Sequence, residues 1–203
     1  VRSGAGIRKL RKTKNRKTKK MQLKEGQVYI PASRLGYPKL FRAAGIDGDS
    51  ASKPRFGCQI MLPKSDTKTK EKLDAEITRL SKLHFKGVVP KSKDLFIKDG
   101  DGEEGNADTK GFWLISANRA ETQGRPQIVD RDGRTALHEA DGKPYAGCWC
   151  AYMVSVYVPK NWKKVCAGLE IVQFAKDGEP FGGSAPRAAD VMPSLEDEDE
   201  DEI

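Results

Sequence analysis

The sequence predicts a mainly β protein: a β-barrel with one packed α-helix, set between a basic N-terminal arm and an acidic C-terminal tail. Three observations carry this expectation. First, residues 148–158 alternate strictly. Cys148, Cys150, Tyr152, Val154, Val156 and Val158 share one face, and Trp149, Ala151, Met153, Ser155 and Tyr157 share the other. Strand side chains switch faces at each residue, so this is a long strand with one face for a core. Second, only residues 66–83 have a helical period, with Leu73, Ile77 and Leu80 on one stripe among Lys and Glu. A lone helix between strands suits a barrel with an added helix better than a repeating strand–helix array. Third, 20 Gly and 11 Pro punctuate the chain as a loop-rich β protein requires.

Taken in order, residues 1–20 hold ten Lys or Arg and no acid. With almost no apolar content they are expected to be a disordered arm. Met21 reads as a natural start, with the arm as an extension before it; the other reading is a phosphate-binding arm. A first strand is expected around Gln27–Ile30. The segment 34–42 then mixes Arg34, Lys39 and Arg42 with Tyr37 and Phe41, and residues 43–54 read as a Gly/Asp/Ser loop. Arg55 to Leu62 forms the second strand, with Phe56, Cys58, Ile60 and Leu62 on one face. Pro63 ends it, and Ser65 or Asp66 caps the helix.

Residues 94–97 read as a short strand, followed by an acidic loop to Gly111. Strands are expected at 111–120 and within 124–133, where Asp132-Gly133 signals a turn. The long strand at 148–158 pairs through a short link with the apolar run Val165–Ala175 as a hairpin. The domain is expected over 21–183, and a disordered tail over 184–203.

The formal net charge of +8 is polarised. A basic arm, a mildly basic body and a run of seven acids at 196–202 point to a polyanion partner and an internal competitor for it. No apolar run approaches the ~20 residues that span a bilayer, and no apolar segment follows the basic start. The expected setting is intracellular, with no membrane partner.

Catalytic and metal chemistry find little support. Cys148 and Cys150 lack zinc-knuckle spacing, and only His84 and His138 are available, so the four cysteines read as small core residues. Asp99, Asp101 and Glu103 alternate as in a calcium loop, but Glu104 stands where glycine is needed and Lys110 where a bidentate acid is needed. No nucleophile–base set and no phosphate-cradling Gly-Lys-Ser/Thr loop is present. The sequence thus implies no catalytic residues, no metal and no cofactor.

What it does supply is the equipment for sequence-independent single-strand binding: cations along a groove and ring faces for bases to stack on. Candidate rings are Tyr37, Trp113, Trp149 and Tyr157. Candidate cations are Arg34, Lys39, Arg42, Lys53, Arg55, Arg119 and Arg125. The tail Glu196, Asp197, Glu198, Asp199, Glu200, Asp201, Glu202 and Ile203 could lie in the same groove as a strand mimic and dock on partner proteins when DNA displaces it; the plainer reading is a solubility tail.

Several stretches in order carry a family resemblance: RLGYPKLF at 34–41, RFGCQIMLPKSDT at 55–67, IKDGDGEEG at 97–105, GRPQIVDRDG at 124–133, YAGCWCAYMVSVYV at 145–158 and GLEIVQFAKDGEPFGG at 168–183. Over roughly residues 25–183 the chain resembles a family of phage single-stranded DNA-binding proteins. The resemblance implies an OB-fold-like β-barrel with added elements, and the barrel expected here has five strands, partly open, with helix 66–83 on one side. The resemblance implies a non-enzymatic role in phage replication or recombination, in the cytoplasm of an infected bacterial host. Single-stranded DNA is the implied partner, with replication or recombination proteins reached through the tail; a homo-oligomer is compatible with the sequence. The readings set against this one are a strand-annealing or recombination-mediator protein, a nuclease using Asp99, Asp101 and Asp108, and an RNA-binding module.

Overall fold

The computed structural model describes residues 22–45, 52–102 and 107–181. The arm, the tail and the acids Glu103 and Glu104 lie outside these residues. Among the described residues, seven strands and one α-helix follow in order: β1 (Gln27–Ala44), β2 (Arg55–Pro63), α1 (Thr67–His84), β3 (Ile97–Asp99), β4 (Phe112–Ala120), β5 (Gln127–Val129), β6 (Trp149–Tyr157) and β7 (Cys166–Lys176). They form one sheet in the order β3-β4-β2-β1-β6-β7-β5.

A further pairing between β4 and β7 bends that sheet into a closed barrel of β1, β2, β4, β7 and β6. The closing seam is parallel and short, matching Ala117 with Ala167 and Asn118 with Gly168. The other barrel pairings are antiparallel. The expected partial opening is therefore absent: the seam closes the ring and leaves no free edge between β4 and β7.

The period-two pattern is what fills the barrel. Ile30, Leu35, Ile60, Ile115, Val154, Leu169 and Val172 are fully buried in one cluster. On β6 the even-numbered residues are all buried, as the alternation requires, and on the opposite face Ala151 is buried as well. Tyr152 is buried with them, and its hydroxyl reaches the Ser33 carbonyl at 3.4 Å. Cys58, Cys148 and Cys150 are buried fillers, with the last two Sγ atoms 3.6 Å apart.

Helix α1 begins where Pro63 ends β2. Asp66 caps it by accepting the Thr69 N–H at 3.1 Å. Leu73, Ile77 and Leu80 face inward and pack on β1 and β6. Among the described residues no helix is long and apolar enough to cross a membrane.

The largest difference from the sequence expectation is β1. It continues through 34–44 instead of stopping at Ile30. One 18-residue strand serves two neighbours: its first part pairs with β6, its second with β2, and Arg34 pairs with both. Pro31 and Pro38 sit inside the register irregularities at 30–33 and 36–39, where a missing N–H breaks no ladder bond. Those prolines and the polar interruptions hide the strand from a periodicity argument. The short third strand is also displaced, from 94–97 to Ile97–Asp99. Residues 92–94 form a single 3-10 turn, and Leu95 bridges Val165 instead.

The seam is testable. Ala117 and Ala167 are both buried and directly paired, so there is no room there for a larger side chain. Ala167→Leu should destabilise the protein by about 1–3 kcal/mol through overpacking. A urea-denaturation midpoint reads this directly; an unchanged midpoint would mean the seam is open in solution.

Candidate nucleic-acid interface

The outward faces of β2 and β4 meet as a floor of small or polar side chains. Gly57 pairs with Asn118, and Gln59 with Ser116. Gly57 is dictated by close approach: a Cβ there would stand 2.9 Å from the Ala117 carbonyl oxygen. The floor from Gln59 to Arg55 covers four strand steps, roughly 13 Å. Above it lies a groove of about 960 Å³.

Rings stand at both ends of this floor. Tyr37 and Gln59 line one end. Tyr37 occupies a β-bulge: between the pairs Gly36–Gln59 and Lys39–Gly57, β1 holds one residue more than β2. The extra residue puts Tyr37 at φ 44°, in the left-handed region where a side chain is strained. Its ring is 69% exposed. At the other end Tyr157 lies across the seam, next to Gly168, and Trp162 projects from the β6–β7 link with 61% exposure. Burial pushes the Tyr157 phenol up, so the ring stays neutral at ordinary pH.

Cations alternate with these rings. Lys39, Lys53, Arg55 and Lys164 all line the groove. Lys39 Nζ donates to the Gly45 carbonyl at 2.9 Å. Lys164 stands 5.4 Å from the Trp162 ring centre and 4.0 Å from Asp94. Among the described residues, the side chains of Lys53 and Arg55 have no hydrogen-bond or ion-pair partner. Unpaired cations beside exposed rings can neutralise phosphates while bases stack.

The structure thus brings together Tyr37, Lys39, Lys53, Arg55 and Tyr157 of the sequence candidates. The other six lie elsewhere. Trp113 and Arg119 share strand parity with the buried Ile115 and Ala117, which turns them to the barrel ends. Trp113 sits under Lys70 and Lys64, at 4.6 and 5.0 Å. Arg119 binds Glu170 at 2.8 Å and the Gly124 carbonyl at 3.0 Å. Arg34 donates to the Glu179 carbonyl at 2.7 Å, Arg42 pairs with Glu139 at 2.9 Å, Arg125 stands 5.7 Å from the Phe41 ring, and Trp149 lies under Lys176 at 4.9 Å.

Trp162 and Lys164 were not among the sequence candidates. The signal was present: a tryptophan among lysines in the connection between two strands, read there only as a short link.

Among the described residues, Asp99 and Asp101 of the 98–111 loop are tied to a lysine. Lys64 Nζ bonds both Asp99 and Asp101 at 2.5 Å, placing an ammonium where a nuclease reading would put a cation. The Lys64 hydrogen bond holds the Asp99 carboxyl below its usual range; the Gly111 N–H, then Lys64, does the same for Asp101. Among the described residues no three His, Cys, Asp or Glu side chains converge.

Comparison with known proteins agrees with this geometry. The family described as Enterobacter phage Enc34, ssDNA-binding protein, matches residues 26–203. A protein designated p50, from Acyrthosiphon pisum secondary endosymbiont phage 1, is 28% identical over 181 residues, covering 84% of this chain and 94% of that protein. The single-stranded DNA-binding protein of bacteriophage Enc34, solved in complex with ssDNA, superposes with a TM-score of 0.68 at 29% identity, over 78% of this chain and 91% of that one. The bacteriophage T7 single-stranded DNA-binding protein gp2.5 shares the fold, with a TM-score of 0.55 at 15% identity over 83% of this chain and 96% of that one.

The strain at Tyr37 predicts an inverted stability response. Tyr37→Gly should leave stability unchanged or raise it by up to about 1 kcal/mol, while Tyr37→Val should lower it. Thermal melts of the two variants check this; a clear loss with glycine would show that the ring is a packing element. The match over 26–203, the closed barrel and the ring-lined groove lead to one statement: this chain belongs to the Enc34-type phage single-stranded DNA-binding protein family.

Proposed function

We propose that the protein coats single-stranded DNA, without sequence specificity or catalysis, during phage replication or recombination in the cytoplasm of an infected bacterial host. The observation that carries this is the groove itself, where Tyr37, Tyr157 and Trp162 interleave with Lys39, Lys53, Arg55 and Lys164 over a floor of Gly57, Gln59, Ser116 and Asn118. The family membership and the solved ssDNA complex of the Enc34 protein support it.

In this reading phosphates meet the four cations and bases stack on the rings. Duplex DNA hides its base faces, so the rings contribute only with unpaired strands. The acids Glu196–Glu202 compete for the same cations; DNA binding releases them to engage replication or recombination proteins. This role for the tail is drawn from charge complementarity between it and the groove.

Fluorescence anisotropy with labelled single-stranded DNA, duplex DNA and single-stranded RNA of equal length tests the proposal. At about −0.7 per phosphate contact, four cations give a slope of log affinity against log salt of about −3. Single strands should be strongly preferred over duplex. Tyr157→Ala should weaken single-strand binding by about 1–3 kcal/mol, and Trp149→Ala should leave it unchanged. Removing residues 196–203 should tighten binding. Equal affinity for duplex would contradict the coating role, and weaker binding after truncation would contradict the competitor role of the tail.

A further inference from the structure

A side chamber adjoins the groove at Tyr37 and Gln59. This second cavity, of about 290 Å³, is bounded by Tyr37, Phe181, Met61, Gln59 and Asp108. Tyr37 and Gln59 line both spaces, so the bulged tyrosine is the partition between them. The volume lies at the lower end of small-ligand pockets, which begin near about 300 Å³, and suits one planar heterocycle.

The far wall is fixed. The Arg34 guanidinium stands 4.3 Å from the centre of the Phe181 ring. Arg34 is itself anchored on the carbonyls of Glu179 at 2.7 Å and Gly147 at 3.4 Å. The Phe181 N–H donates to the Ala146 carbonyl at 3.2 Å. Behind it, Tyr145 Oη donates to the Gly178 carbonyl at 3.0 Å and accepts the Gly178 N–H at 3.2 Å. Segment 177–181 is therefore clasped to the 145–147 turn, and Phe181 faces the chamber as a held ring.

The chamber differs from the groove in charge. The groove is lined by four cations. Among the described residues, none lining the chamber is a cation, and Asp108 places a carboxylate on it. A phosphodiester would be repelled there. A base is suited to it, with apolar and aromatic walls for its faces and two polar side chains for its edge. An ionised carboxylate only accepts hydrogen bonds, so it discriminates among bases by their donors. The cytosine N4 amino group is such a donor, while thymine presents a carbonyl oxygen at the equivalent position. The Gln59 amide can complete the pairing, because it both donates and accepts.

We propose that this chamber receives one unstacked base of the strand lying in the groove and favours cytosine over thymine. The inference rests on the single-strand reading of the groove and adds a local base preference to otherwise sequence-independent binding.

The test uses the full chain in competition titrations with oligo(dT) and with oligo(dT) carrying one central dC. The dC-containing strand should bind about tenfold more tightly, the worth of one charge-assisted hydrogen bond. Asp108→Ala, which removes the acceptor altogether, should abolish that gain while oligo(dT) affinity is kept. Phe181→Ala, which leaves the carboxylate and removes a wall, should reduce the gain independently. Equal affinity of the wild-type protein for both strands, or a gain that survives both substitutions, would overturn the chamber assignment and leave the coating role standing. Failure of the wild-type protein to bind oligo(dT) at all would overturn the groove reading and the chamber with it.

Discussion

The constraint on which the rest of the structure depends is that β1 must serve two neighbours. β1 leaves one partner and takes up the other at Arg34, which pairs with Trp149 of β6 and Met61 of β2. The bend requires interruptions in register, and those are the bulges at 30–33 and 36–39. The second bulge pushes Tyr37 out of the sheet at positive φ. The change of register along β1 and the exposure of the groove tyrosine thus share one backbone irregularity, the bulge at 36–39. Strain at Tyr37 persists because the ladder on either side, Gly36 with Gln59 and Lys39 with Gly57, holds both ends of the bulge.

A second constraint separates cations with a structural task from cations facing the groove. Arg34, Arg119 and Lys64 each hold two or more oxygen atoms, and each fixes a loop or a chain end to the barrel. Their charge is spent on the fold. Lys53 and Arg55 stand beside the floor of β2 and β4 without such ties. Rings divide in the same way. Trp113 and Trp149 lie under lysines and are partly buried, whereas Tyr37 and Trp162 are more than half exposed, Trp162 even with Lys164 beside it. Composition counts all these residues equally; only their partners distinguish them.

Much of this architecture was legible in the sequence. The alternation at 148–158 and the stripe Leu73, Ile77, Leu80 follow from burial on one face, and burial leaves a periodic trace. Strand β1 left none, because it carries Pro31 in its first half and Pro38 in its second and changes partner midway. Half-legible is the right description of the site. Residue types alone selected Tyr37, Lys39, Lys53, Arg55 and Tyr157. They also selected Trp113 and Arg119, although shared parity with Ile115 and Ala117 already turned those two inward. Arg34 and Trp149 could not be sorted this way, since their covering partners Glu179, Phe181 and Lys176 are far away in sequence. Trp162 was visible as an exposed ring among lysines, but its position at the groove depends on the link between β6 and β7 lying beside the seam.

The central claim is that the strand runs over the β2–β4 floor between Tyr37 and the Tyr157–Trp162 pair. Photocrosslinking to a bromodeoxyuridine-substituted single strand, with the attached peptides mapped by mass spectrometry, tests it most directly. The account predicts crosslinks at Tyr37, Tyr157 and Trp162 that disappear as salt is raised. Crosslinks concentrated at Trp113 or Trp149 would place the strand on another face and contradict it.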